Sequence, residues 1–125
     1  MNKRKTGSRY EVLAARYLEK KGYLILQQNF RCRAGEIDLI ARDQAEGQEC
    51  LVFTEVKYRK NGAAGLPEEA VNANKRRRIS RAADYFRVQY RIPMDMPCRF
   101  DVIAIEGERL RHHINAFEYE TQRRY

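Results

Sequence analysis

The chain has 125 residues, the size of a single domain, and is long enough to bury a core without disulfide or metal staples. With 43% hydrophobic and 34% charged residues it suits a globular protein with a heavily charged surface. No apolar run approaches the roughly 18 residues that a bilayer-crossing helix needs, which excludes a helical membrane span. Lysine and arginine outnumber aspartate and glutamate by 25 to 17, for a net charge of +8. That balance favours a polyanionic partner, nucleic acid first, although many small basic proteins simply carry solvated cations. The start, Met1 to Lys5, is basic with no apolar stretch of a secretory signal behind it, so a cytoplasmic location is expected. Cys32, Cys50 and Cys98 are odd in number and form no C-x-x-C pair, which points to reduced thiols and not to zinc or a disulfide framework. His112 and His113 are adjacent, and neighbours on a strand face opposite ways. They are expected at the surface or an edge, not on one metal.

In chain order, residues 1–7 read as a basic arm, followed by one domain over 8–117 and a tail over 118–125. A helix is predicted from Ser8 to Lys21. Ser8 is placed to cap it with Glu11 three residues on, Tyr10, Leu13, Ala14, Tyr17 and Leu18 form its apolar face, and Gly22 ends it. Strands are predicted over Tyr23–Asn29, Gly35–Arg42 and Leu51–Tyr58, the last two joined through a polar loop containing Glu46 and Gly47. After a loop with Gly62 and Gly65, Pro67 fits the first turn of a long helix, with Glu68 and Glu69 set against its dipole. Its apolar face is Ile79, Ala82, Ala83, Phe86 and Tyr90. Strands over Arg99–Ile105 and Leu110–Ala116 close the chain through a hairpin at Glu106-Gly107-Glu108. The order α-β-β-β-α-β-β gives an α/β fold, a mixed central sheet flanked by helices and not a βαβ repeat.

Charge inside apolar strands is the informative feature. Asp38 lies between Ile37 and Leu39, and Glu55 and Lys57 bracket Val56. Alternation puts Glu55 and Lys57 on one face, and a hairpin turning near Glu46 and Gly47 sets Asp38 opposite Glu55 and Glu36 opposite Lys57. Two facing carboxylates repel unless something lies between them. A divalent cation resolves the conflict, since Mg²⁺ is held by one or two carboxylates with waters and phosphate oxygens, and Lys57 is placed to stabilise developing charge. The competing reading is a salt-bridged polar face, with Lys57 neutralising Glu55 or Glu36 and Asp38 solvated. Glu11, on the flank of the first helix, suits either a metal water or the capping box.

Gly-Glu-Ile-Asp-Leu-Ile-Ala (Gly35 to Ala41), Val-Phe-Thr-Glu-Val-Lys-Tyr-Arg (Val52 to Arg59) and Arg-Phe-Asp-Val-Ile (Arg99 to Ile103) resemble the YraN family of bacterial proteins. That family is similar in fold to restriction endonucleases and archaeal Holliday-junction resolvases, the PD-(D/E)XK nucleases. The likeness runs from about Gly7 to Phe117. It implies a restriction-endonuclease-like fold and a catalytic set of Glu11, Asp38, Glu55 and Lys57, with the three acids binding Mg²⁺ or Mn²⁺ and the lysine assisting attack. Tyr10 stands where the family usually has glycine, beside Glu11, and Thr54 replaces a more usual valine.

Lys75-Arg76-Arg77-Arg78 opens a cationic run along the second long helix, and Arg59 and Lys60 follow the catalytic strand. Singly, each is a solvated side chain. As a cluster they suit phosphate contacts with DNA, which give salt-sensitive, sequence-independent affinity. Lys75 lies near the buried side and resembles the helix lysine of the family. The expectation is a metal-dependent endonuclease on DNA, branched DNA by the resolvase likeness, with a homodimer needed for paired cuts. The alternative is a nucleic-acid-binding or adaptor protein that keeps the fold without cleaving.

Overall fold

The computed structural model describes residues 3–59 and 71–120, the side chains of residues 3–8 and of Glu46 excepted. Its elements are helix α1 (Lys3–Lys20), strands β1 (Leu24–Cys32), β2 (Gly35–Asp43) and β3 (Cys50–Arg59), helix α2 (Ala73–Gln89), and strands β4 (Cys98–Glu106) and β5 (Arg109–Phe117). The predicted order holds, and the sheet runs β1-β2-β3-β4-β5. All neighbours are antiparallel except β3 and β4. A parallel pair needs a crossover, and α2 lies in it.

Local chemistry sets the element ends. At the end of α1 the amide of Gly22 bonds the carbonyl of Glu19 at 2.9 Å and that of Tyr23 bonds Leu18 at 3.0 Å, with Gly22 at φ +96°. This is a Schellman stop, and its hydrophobic pair, Leu18 and Tyr23, is buried in one core cluster. The other end departs from expectation: α1 begins at Lys3, so Ser8 lies inside the helix and not at its N-cap. Likewise α2 begins at Ala73, because Asn72 is extended and its Oδ1 accepts the amide of Lys75 at 2.8 Å. The predicted start at Pro67, with Glu68, Glu69, the Gly62–Gly65 loop and Lys60, lies outside the described residues. Gly107, at φ +61°, is the first residue of the two-residue turn between β4 and β5, the position where a type II′ turn takes glycine.

The core lies on both sheet faces. Ile79, Ala82 and Phe86 of α2 pack on Phe30, Phe53 and Phe100, with Phe86 edge-on to the rings of Phe30 and Phe53. Ala14 and Leu18 of α1 pack on Leu39, Ala41, Val52 and Ile103. Two predicted core positions are surface ones: Leu13 is 46% and Tyr90 49% exposed. Ala15 takes the place predicted for Leu13, and Tyr90 covers Phe86 from outside at a centroid distance of 4.7 Å.

Candidate active site

The β2–β3 ladder pairs Leu39 with Thr54 and Ile40 with Phe53, the register that the loop midpoint predicts. It stops there, one residue short of Asp38 and Glu55. Beyond that point β2 follows β1, so Glu36 sits beside Arg31, 3.9 Å from its guanidinium, and not opposite Lys57 as expected. Where the ladder ends, Asp38 substitutes its side chain for the missing strand partner, and the amide of Val56 donates to its Oδ2 at 2.7 Å. The carboxylate is thereby fixed at the mouth of a gap between β2 and β3.

The gap is the floor of a cleft of about 660 Å³ lined by Glu11, Asp38, Glu55, Lys57, Lys75 and Arg78, with Tyr10 and Tyr58 among the remaining walls. Glu55 is 7% exposed, and two ammonium groups converge on its Oε2, Lys75 Nζ at 2.7 Å and Lys57 Nζ at 3.4 Å. Burial raises Asp38, the charge of Glu55 raises it further, and the Val56 amide only partly offsets them; the group moves from the usual 3.8 to about 8. Burial chiefly, and then Lys75, pull Lys57 below the ordinary lysine value. For Lys75 burial acts the same way, but Glu55 outweighs it and holds the group above its ordinary value.

Glu11 reaches the same cleft from α1. It is 7% exposed, and its Oε1 has no hydrogen-bond partner among the described residues. Burial raises it, against the nearby Asn29 side chain, and the charge of Glu36 adds to the rise. The two sequence readings of Glu11 are thus separated by geometry: it is a buried cleft acid and not the reciprocal half of a cap. The polar-face reading holds in part: Lys57 does pair with Glu55, at 3.4 Å, but Glu55 is buried and burial raises Asp38, where a solvated face would expose both. Among the described residues no three His, Cys, Asp or Glu side chains come close enough to hold an ion unaided. The donors available are all carboxylate oxygens, the type that suits a hard divalent cation completed by water and phosphate.

The predicted phosphate contacts divide. Lys75 points into the site and Arg78 lines its rim. Arg76 turns away, its Nε 2.9 Å from Glu120 and its Nη1 2.7 Å from the carbonyl of Val71. Arg77 and Arg59 are half-buried. The three cysteines are free and half-buried.

A second polar cluster on the α1 face escaped the sequence reading. Asp101, fully buried, accepts from Arg99 at 2.9 Å, from the Asn115 amide at 2.9 Å, and lies 2.7 Å from His112 Nε2. Arg99 also reaches Asp43 at 3.1 Å and the Tyr23 hydroxyl at 2.6 Å. Despite burial, His112 and Arg99 hold Asp101 below the ordinary carboxylate value. His112 lies on the edge strand β5, one of the two positions expected, but its side chain points inward, with 5% of it exposed. The signal available was the one that flagged Glu55 and Lys57: two charges at alternate positions of an apolar strand, here Arg99 and Asp101. The partner His112 depends on a bulge between β4 and β5, which no spacing reveals.

A sheet ordered β1-β2-β3-β4-β5, a helix against each face, and a cleft acid pair with an E-x-K lysine define the restriction-endonuclease-like fold and place the chain in the nuclease-like superfamily. More narrowly, the chain belongs to the uncharacterised protein family UPF0102, whose model matches residues 10–105. That span contains Glu11, Asp38, Glu55, Lys57 and Lys75 and stops before β5. A UPF0102 protein of Lachnoclostridium phytofermentans is 48% identical over 118 residues, covering 94% of this chain and 97% of its own length. Those of Pelobacter propionicus and Geobacter sulfurreducens are 46% and 45% identical, covering 92% and 90% of this chain and 84% and 88% of their own lengths.

Proposed function

We propose that this protein is a divalent-cation-dependent endonuclease that hydrolyses DNA phosphodiester bonds in the cytoplasm. One observation carries the reading. Acids from three separate elements, Glu11, Asp38 and Glu55, are drawn into one cleft, where burial and mutual repulsion raise Asp38 to about 8 and Glu11 Oε1 has no hydrogen-bond partner among the described residues. Such an arrangement is unfavourable by itself and is relieved by a cation.

The residues fit Mg²⁺ or Mn²⁺. Asp38 and Glu55 would hold it directly, with Glu11 reaching it through water. The bound ion supplies Lewis-acid polarisation of the phosphate and lowers the pKa of a coordinated water. The chain's own groups do the rest. Lys57, desolvated and against Glu55, orients the attacking water and meets the charge that develops on the phosphate. Lys75 and Arg78 hold the scissile strand by its phosphates, with Arg77 and Arg59 extending the contact. One site cuts one strand, so paired incisions across branched DNA require two copies.

A specific feature favours a second reading, a DNA-binding or adaptor protein without cleavage. Lys75 already neutralises Glu55 at 2.7 Å, the role an ion would take. Mn²⁺ titration by calorimetry into wild type and Asp38→Ala, with and without DNA, separates the two, followed by a cleavage assay on linear and branched substrates. The nuclease reading expects binding and cleavage in wild type and loss of both in the variant, with DNA affinity retained. Full DNA affinity without ion uptake, even in the presence of DNA, would establish the adaptor.

A further inference from the structure

Beside the acids, the cleft carries a feature that phosphate chemistry does not use. Tyr10 of α1 and Tyr58 of β3 both line it, and their rings stack at a centroid separation of 3.9 Å and an interplanar angle of 15°. Tyr58 follows Lys57 directly, and Tyr10 precedes Glu11, so the aromatic pair is tied by the backbone to two of the four site residues. The guanidinium of Arg9 lies over the Tyr10 ring, 5.9 Å from its centroid. Tyr58 gives one ring face to Tyr10, and the aromatic pair stands beside a cation. Tyr58 is 42% exposed, in a strand whose neighbours Phe53, Thr54 and Glu55 are buried.

An exposed ring at the end of a stack, next to cations that bind phosphate, matches the chemistry of single-stranded nucleic acid. There, bases stack on aromatic side chains while the backbone follows positive charge. Continuous duplex keeps its bases stacked on one another and presents only phosphates and groove edges to such a surface. We infer that the Tyr10–Tyr58 stack takes an unpaired nucleobase of DNA, so that the strand entering the cleft is single-stranded, as in a flap, gap or opened branch point. This rests on the nuclease reading for the identity of the polymer and deepens it by naming the form of the DNA.

The experiment uses the full chain in EDTA, so that no strand is cut. One probe is an oligothymidylate strand with a single 2-aminopurine; others are the same base in a blunt duplex and in an RNA strand of equal length. Affinity is read by anisotropy and stacking by 2-aminopurine quenching. Wild type should bind the DNA strand more tightly than the duplex and quench its base. Tyr58→Leu should weaken strand binding by about tenfold, within the range for loss of one base–aromatic stack, abolish the quenching and leave duplex affinity unchanged. Tyr58→Phe should retain all three properties. Equal wild-type affinity for strand and duplex without quenching would overturn the inference and leave the DNA reading standing, as would equal losses on both probes in Tyr58→Leu. Tighter binding of the RNA would overturn the assignment to DNA, and failure of wild type to bind any probe would remove the function proposed above. Should Tyr58→Leu not fold, the wild-type comparison and Tyr58→Trp, whose larger ring should deepen the quenching, decide the same question.

Discussion

Asp38 is where the molecule concentrates its unfavourable electrostatics, and pH exposes it. Burial and the Glu55 charge raise it from 3.8 to about 8, so between about pH 4 and pH 8 the folded state binds a proton that the unfolded state releases. The stabilisation from that proton is fully present below the unfolded value and is lost as pH rises through the folded one. In EDTA, wild type should therefore lose stability as pH rises from about 5 to about 9, and Asp38→Asn should lose markedly less. Urea midpoints for both proteins at those pH values measure it; parallel curves would mean that Asp38 is not the titrating group. Added Mg²⁺ should stabilise wild type most at high pH, where the carboxylate is ionised, and should do little for the variant. At this scale Asp38, Glu55 and Lys57 were legible because charge within an apolar strand contradicts its surroundings. Glu11 was ambiguous, since nothing local separates a capping acid from a buried one.

Among the elements, the ends respond to single substitutions. Asn72→Ala removes the side chain that accepts the Lys75 amide and should cost about 1 kcal/mol, the usual loss for an N-cap. Because Lys75 opens on the site from the first turn of α2, the variant should also loosen its ion pair with Glu55. Strand β5 is held differently. Asp101 joins Arg99 of its own strand to His112 and the Asn115 amide of β5, where Asn115 at φ +56° bends the chain and the ladder slips between Phe100 and Val102. Asp101→Ala leaves the largely buried Arg99 guanidinium with Asp43 as its remaining carboxylate, takes the acceptor from the Asn115 amide and from the interior His112 ring, and should destabilise by about 3 kcal/mol, the scale of breaking one side of a buried pair. Denaturant unfolding of both variants checks these values. Strand and helix existence was readable from periodicity. The start of α1 was not, because Ser8 is a sound cap residue and only the path of the preceding chain decides whether it is used; at α2 the cap is Asn72, which its own sequence neighbourhood does not distinguish from the other asparagine nearby.

Over the whole molecule, the +8 charge predicts binding that salt governs. The logarithm of DNA affinity should fall linearly with the logarithm of salt, by about 0.7–0.9 per phosphate neutralised, the lower figure for single strands. Arg77→Glu with Arg78→Glu should reduce that slope by about 1.4–1.8 while leaving Mn²⁺ uptake intact. Anisotropy across a salt series checks it, and an unchanged slope would take α2 out of the interface. Arg76, tied to Glu120 and the Val71 carbonyl, should contribute little to the slope.

Local pattern carries an α/β order, the β2–β3 register down to Leu39 opposite Thr54, and the acid-acid-lysine set. Each rests on alternation or on charge in an apolar run, which need only near neighbours. Contacts between segments far apart in the chain follow from the packed fold and from nothing local. Glu11 is buried because α1 packs over the end of β2. Arg76 is diverted because Glu120 returns to α2, and Lys75 meets Glu55 because α2 crosses between parallel β3 and β4. Tyr10 and Tyr58 stack across 48 residues of chain for the same reason: long-range packing brings together side chains whose separate sequences contain no record of one another.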